Sequence, residues 1–177
     1  MTSPPRPGRE ATVGATRRLA LRTFRGLPRP VRILAIRVIA PAHTAGALCF
    51  IERRGDILLL RQHHRRGWTL PGGLINRGED AATAVAREVR EETGLHVEVG
   101  FPFATLVEPR SRRIDILFHV PVETEVAARP AGEAVGAAWL RPSDVGEVDE
   151  QTRGSLAAFE VWKTAGPAIH SGRVLPE

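Results

Sequence analysis

The chain has 177 residues, with 25 basic and 20 acidic groups, one Cys and no Tyr. A single cysteine excludes an internal disulfide and fits a reducing compartment, and no apolar run approaches the roughly 20 residues of a spanning helix. The net charge of +5 averages two unlike parts: residues 1–40 carry nine Arg against one Glu, and the remainder carries sixteen basic against nineteen acidic groups.

Residues 1–15, with their Pro, Gly and Ser, are expected to be disordered. Residues 16–39 alternate arginines with apolar side chains, and Pro28 and Pro30 divide them into two short pieces. The first reads as helix; the second, rich in β-branched residues, fits helix or strand. Such an arm can pack on the following domain or on a second subunit of a homodimer, lie on an anionic membrane surface, or stay loosely ordered. The near-exclusive use of arginine is no evidence for a nucleic-acid partner, and none is expected. The N-terminus lacks a clean apolar core before a small-residue cleavage site, so a cytoplasmic location is expected rather than a secretory signal. The domain boundaries are set at 1–40 for the extension, 41–164 for the main domain and 165–177 for a loose tail.

Within the main domain, 45–52 and 57–62 read as a strand pair around a turn at 53–56. Arg61, Arg65 and Arg66 can reach an anionic group such as a phosphate, or remain ordinary surface charge. His63 and His64 are adjacent, so on an extended chain they point apart and do not make a ligand pair. Trp68 is expected to pack, and Cys49 to be an inert core thiol. Further strands are expected at 96–99, 104–108, 114–120 and 137–140, a polar loop at 123–135, a turn at 141–145, and an amphipathic helix at 150–163 through Leu156, Phe159 and Trp162. Mixed strands with one early and one late helix suggest a sheet covered on both faces.

Residues 72–95 stand apart: a loop, a short helix, a glycine stop. Asp80 can cap the helix and Gly94 can end it in a left-handed turn. Glu88, Glu91 and Glu92 stand at i, i+3 and i+4 on one face. At about 100° per residue, Glu88 and Glu92 lie within roughly 60° of Val85, the middle of the apolar stripe, and Glu91 lies about 120° round on the same side. The carboxylates therefore flank the buried face and should border a groove. Three acids so close resist joint ionisation, and Arg87 alone cannot neutralise them. A hard divalent cation with oxygen ligands is one solution; a solvated helix with i,i+4 ion pairs is the other.

The stretch resembles the signature of the Nudix hydrolase family, MutT-like, at Gly73, Glu79, Arg87, Glu88, Val89, Glu91, Glu92, Gly94 and Leu95. No fixed position of this 23-residue box departs from the pattern, and weaker similarity extends over about residues 43–163. The resemblance implies an α/β fold, the Nudix α/β/α sandwich with a mixed sheet. It implies Mg²⁺- or Mn²⁺-dependent hydrolysis of a pyrophosphate bond in a nucleoside diphosphate linked to another moiety: a nucleotide sugar, ADP-ribose or a nucleoside triphosphate. Carried over by position, Glu88, Glu91 and Glu92 with the Gly73 carbonyl hold the metal, one of the glutamates being free to act as base. Glu79 and Arg87 hold loop and helix in register, and Gly94 closes the helix. Glu133, six residues before Trp139, occupies a loop where some members place a further ligand or base. Without Tyr, the chain lacks the tyrosine associated with diadenosine polyphosphate hydrolases. Pro109, 14 residues after Leu95, is close to but not at the spacing associated with ADP-ribose hydrolases. The alternative is a non-catalytic nucleotide-binding regulator of the same fold; loss of box glutamates is its usual sign, and all are present.

Overall fold

Strand alternation gives the main domain two cores, one on each face of a single sheet. The computed structural model describes residues 24–39, 42–123, 126–165 and 173–174. The expectation of disorder for residues 1–15 lies outside the described residues, as does most of the tail. Along β1 (Thr44–Arg53), Ala47, Cys49 and Ile51 face one core and Leu48 and Phe50 the other, all buried. Burial pushes the Cys49 thiol pKa upward, as an inert core cysteine requires.

The sheet runs β5 (Ala104–Glu108), β6 (Arg113–Pro121), β1, β2 (Asp56–Gln62), β7 (Ala134–Leu140), with the short β3 (Gly72–Leu74) also paired to β1. The β1–β6 pair is parallel and every other pair is antiparallel, so the sheet is mixed. Helix α2 (Ala81–Thr93) lays Ala84, Val85 and Val89 on the first core, and α3 (Glu150–Ala165) lays Phe159 and Trp162 on the second. The result is the α/β/α sandwich expected from the sequence. Phe159 stacks on Phe50 at 4.4 Å between centroids, a contact whose truncation to Ala would cost about 3–5 kcal/mol.

The β1–β2 hairpin closes through Arg54 (φ 51°) and Gly55 (φ 89°), the two positive-φ residues of a type I′ turn. Beyond Glu52↔Ile57 the two strands part. The segment from Thr69 to Leu74 wedges between them: Thr69 bridges to Leu60 of β2, the Cys49 N–H donates to the Pro71 carbonyl, and β3 lies beside Gly46–Leu48 of β1. This parting of the sheet creates the opening that holds the site.

Two expectations are corrected. The tail is not wholly loose: Arg173–Val174 forms β8, paired with β4 (Val97–Glu98), whose backbone groups need a strand neighbour. Strand β7 starts at Ala134, inside the stretch expected to be loop, because its pairing with β2 extends to Gln62. The second piece of the arm is helical, α1 (Arg29–Ile39), with Pro30 in the first turn, where a missing N–H goes unnoticed. Val31, Ile33 and Leu34 are exposed on it, as is Leu27 just before it. Residues Met1–Ala42 and His43–Glu177 are separate compact units. Among the described residues no helix is long and apolar enough to cross a membrane.

Candidate active site

The ends of α2 fix the rotation of its glutamates. Asp80, extended at φ −87°, accepts from the Thr83 N–H at 2.9 Å, and Gly94, left-handed at φ 73°, donates its N–H to the Arg90 carbonyl at 3.0 Å. Within that frame Glu92 turns inward and is 6 % exposed, whereas the Glu91 side chain is 51 % exposed. Arg87 gathers the acids around it. Its Nε and Nη2 form a fork on Glu79 at 3.0 and 3.1 Å, and Nη1 reaches Glu88 at 2.8 Å and Glu91 at 3.4 Å. Nη2 also donates to the Leu74 carbonyl at 3.2 Å, tying the loop to the helix. These bonds push the Arg87 pKa up and hold Glu79 below the usual carboxylate value.

Glu92 is held from the other side. Gln62 Nε2 donates to its Oε1 at 2.5 Å and the Gly72 N–H to its Oε2 at 2.9 Å. Gly72 has φ 140°, and a Cβ there would stand 2.2 Å from the Ala47 carbonyl oxygen, so only glycine can bring its N–H to this place. The Glu92 pKa is lifted from 4.5 to about 7, chiefly by burial and also by the Glu88 charge, against the downward pull of the Gly72 and Gln62 hydrogen bonds and the Arg65 charge. Gly73, next in the chain, lies against Glu88: a Cβ on it would be 2.4 Å from Glu88 Oε1.

These groups form one wall of a cleft of about 520 Å³. The rest of the lining comes from the loop after β2, from β6 and from the start of α3. Arg65 Nη2 donates to Gln151 Oε1 at 2.6 Å, and Arg65 Nη1 lies 3.5 Å from Asp149. Gln151 Nε2 donates to Asp115 Oδ1 at 2.9 Å, and Arg113 Nε to Asp115 Oδ2 at 2.9 Å. Of the three arginines between 61 and 66, Arg65 lines the cleft and Arg61 and Arg66 do not. Alternation along β2 sends Gln62 inward and Arg61 out, where its guanidinium lies 4.7 Å over the Trp68 ring, and Arg66 is exposed outside the cleft. Glu133 sits on the rim, its side chain 74 % exposed and 3.5 Å from His64 Nδ1. Gln62, Asp115 and Gln151 were not singled out from the sequence. The available signal was a polar residue inside an apolar strand run: Gln62 after Leu58–Leu60, and Asp115 between Ile114 and Ile116.

The family model for the NUDIX domain matches residues 42–159. The chain belongs to the Nudix family. A MutT-like protein of Streptomyces ambofaciens is 30% identical over 132 residues, covering 74% of this chain and 84% of that one. A Bacillus subtilis (strain 168) protein named "Putative 8-oxo-dGTP diphosphatase" is 29% identical over 101 residues, covering 56% and 68%. The solution structure of the E. coli ORF135 protein superposes with a TM-score of 0.58 at 29% identity, over 71% of this chain and 94% of that one.

The Nudix box can be tested against a cation by its donor chemistry. Glu88, Glu91, Glu92 and Gly73 all line one cavity wall, and carboxylate and carbonyl oxygens suit a hard divalent ion. As the side chains stand, no three acidic, His or Cys groups among the described residues converge into a cage. Arg87 draws Glu88 and Glu91 to itself while Gln62 and Gly72 hold Glu92. The donor set fits, provided Glu88 and Glu91 swing from the arginine toward the cleft.

Proposed function

We propose that this Nudix protein hydrolyses a pyrophosphate bond in a nucleoside diphosphate linked to another moiety, with Mg²⁺ or Mn²⁺ as cofactor. The observation that carries the reading is the charge of the cleft: the three box glutamates and the Arg65 guanidinium line one cavity. Glu88, Glu91, Glu92 and the Gly73 carbonyl would hold the cation. When bound, it would offset the negative charge of the pyrophosphate and of the leaving phosphate. Arg65, anchored by Gln151 and Asp149, supplies a fixed positive group for a phosphate oxygen. Water adds across the bridge: a new phosphorus–oxygen bond forms, the bridging bond breaks toward the leaving phosphate, and a proton must be taken from the water. Whichever box glutamate does not ligate the cation is placed to take that proton, and Glu133 on the rim is the second candidate. Arg87 and Glu79 do not touch substrate in this scheme; they fix the box loop on its helix.

The substrates named for two Bacillus subtilis relatives, 8-oxo-dGTP and ADP-ribose, both belong on the test panel. Purified protein is incubated with nucleoside triphosphates, nucleotide sugars and ADP-ribose in Mg²⁺ or Mn²⁺, and the products are weighed. Cation-dependent release of a nucleoside monophosphate is expected. Full turnover in excess chelator, or none on any anhydride, overturns the proposal.

A further inference from the structure

The cleft has a second polar end that the reaction scheme leaves unused. Asp115 stands on β6 beside Gly46 of β1 and is 4 % exposed. Arg113 takes one site on its Oδ2 and Gln151 one on its Oδ1. An ionised carboxylate has about four acceptor sites, so each oxygen keeps a free one. The space beside it is kept open by the absence of a side chain. A methyl on Gly46 would stand 2.9 Å from Asp115 Oδ1 and 3.3 Å from the Gly73 carbonyl oxygen. One gap therefore joins the cation end of the cleft to the Asp115 carboxylate. Asp115, Arg113 and Gln151 also line a second cleft of about 470 Å³, whose far wall includes Leu106, Val107 and Arg110. The order is box glutamates, Gly46, Asp115, then a chamber whose lining sets Leu106 beside Arg110 and Arg113 and the acids Glu108, Asp149 and Glu150.

We propose that Asp115 accepts the 2′,3′-diol of a substrate ribose, with the pyrophosphate at the glutamates and the base in the second cleft. This rests on the nucleotide hydrolase reading above. A nucleotide has the same linear order of phosphate, sugar and base. A carboxylate repels phosphate, so the group it receives is not the pyrophosphate. The ribose diol presents two vicinal O–H donors, matched to the two oxygens of one carboxylate. Leu106, the register partner of Asp115 on β5, offers an apolar contact to a base, and the Arg110 guanidinium can lie against its ring. Gln151 is the positioning residue: Arg65 occupies its Oε1, which leaves its Nε2 aimed at Asp115 and fixes the carboxylate. The proposal makes this chain a hydrolase of ribonucleotide derivatives in preference to 2′-deoxynucleotides.

Calorimetric binding of the α,β-methylene analogues of ADP and GDP, each against its 2′-deoxy form, in Mg²⁺, decides the matter on the intact protein. The deoxy forms should bind wild type about tenfold or more weakly, the scale of a lost hydrogen bond to a charged group. Asp115→Asn should bring each pair within about threefold by weakening the ribo form alone. Should that variant melt, the wild-type pairs still decide. Equal binding of ribo and deoxy forms, binding of neither, or a preference that survives in folded Asp115→Asn overturns the proposal. Ribose-selective binding without turnover of the hydrolysable parents would support this assignment and sink the hydrolase reading. Turnover without ribose selectivity would do the reverse.

Discussion

The two walls of the cleft both carry charge, but they balance it differently. On α2 one arginine serves three carboxylates, Glu79, Glu88 and Glu91, and a fourth, Glu92, is buried on neutral donors. Across the cleft, Arg113, Asp115, Gln151, Arg65 and Asp149 follow one another so that each acid has a donor and each arginine an acceptor. The first wall is short of positive charge; in the second the charges balance. On the proposed reading, the excess of acid marks the reacting side and the balanced network the positioning side.

The sharpest way to break the contrast is Glu92→Gln. An amide offers one acceptor where Gln62 and Gly72 present two donors, and it removes a charge from the acid wall. Turnover in saturating Mg²⁺ should fall at least about a hundredfold, with melting followed in parallel. An unchanged rate would show that the acid excess is not what drives the reaction.

Stability against pH probes the same imbalance without substrate. The folded Glu92 pKa, about 7, lies above its ordinary 4.5, so between those values the folded state binds more protons than the unfolded chain. Metal-free protein should therefore lose stability as pH rises from 4.5 to 7, by at most about 3 kcal/mol, and then level off. Urea unfolding in chelator across that window would show it, and Glu92→Gln should lack this slope.

Arg87→Ala removes the only cation common to three acids. It should cost about 2 kcal/mol in metal-free protein, a fall in Tm of about 4–8 °C, and lower activity with it. An unmoved Tm with an unmoved rate would remove its structural role. A smaller effect is expected from Glu88→Gln. Deleting that neighbouring charge should lower the Glu92 pKa from about 7 by less than burial raised it, as carboxyl NMR titration would read. The smallest comes from deleting residues 1–40. That unit is separate from the domain holding every site residue, so kcat should stay within about twofold. A lost rate in a folded truncation would place the arm in the active site.

What the sequence disclosed and what it hid follow the range of the interactions. The caps at Asp80 and Gly94, the phase of Glu88, Glu91 and Glu92, and the Arg87 pairings lie within one loop and helix, where spacing alone sets geometry. The strand pair 45–52 and 57–62 was legible from its turn at 53–56, but its unbroken apolar runs name neither face. Arg61 and Arg65 look equivalent in sequence; the pleat of β2 separates them. Asp115 and Gln151 meet only because β6 and α3 pack at the same end of the sheet, and nothing local announces it. β4 falls inside the strand expected at 96–99, whereas its partner β8, two residues long, is too short to leave a pattern.

The parallel pairing of β1 with β6 has a consequence in time. It runs from Thr44↔Arg113 to Glu52↔Pro121, with the hairpin, the box helix and β5 all lying between the two strands in the chain. The β1–β2 and β5–β6 hairpins close short loops, whereas β1 must find β6 across a long one, and such distant contacts set the pace of folding. The gap at Gly46, between the Gly73 carbonyl and Asp115, exists only once that encounter is made. On refolding, helical signal and hairpins return ahead of the cleft, and recovery of ligand binding follows the slowest step of the chain.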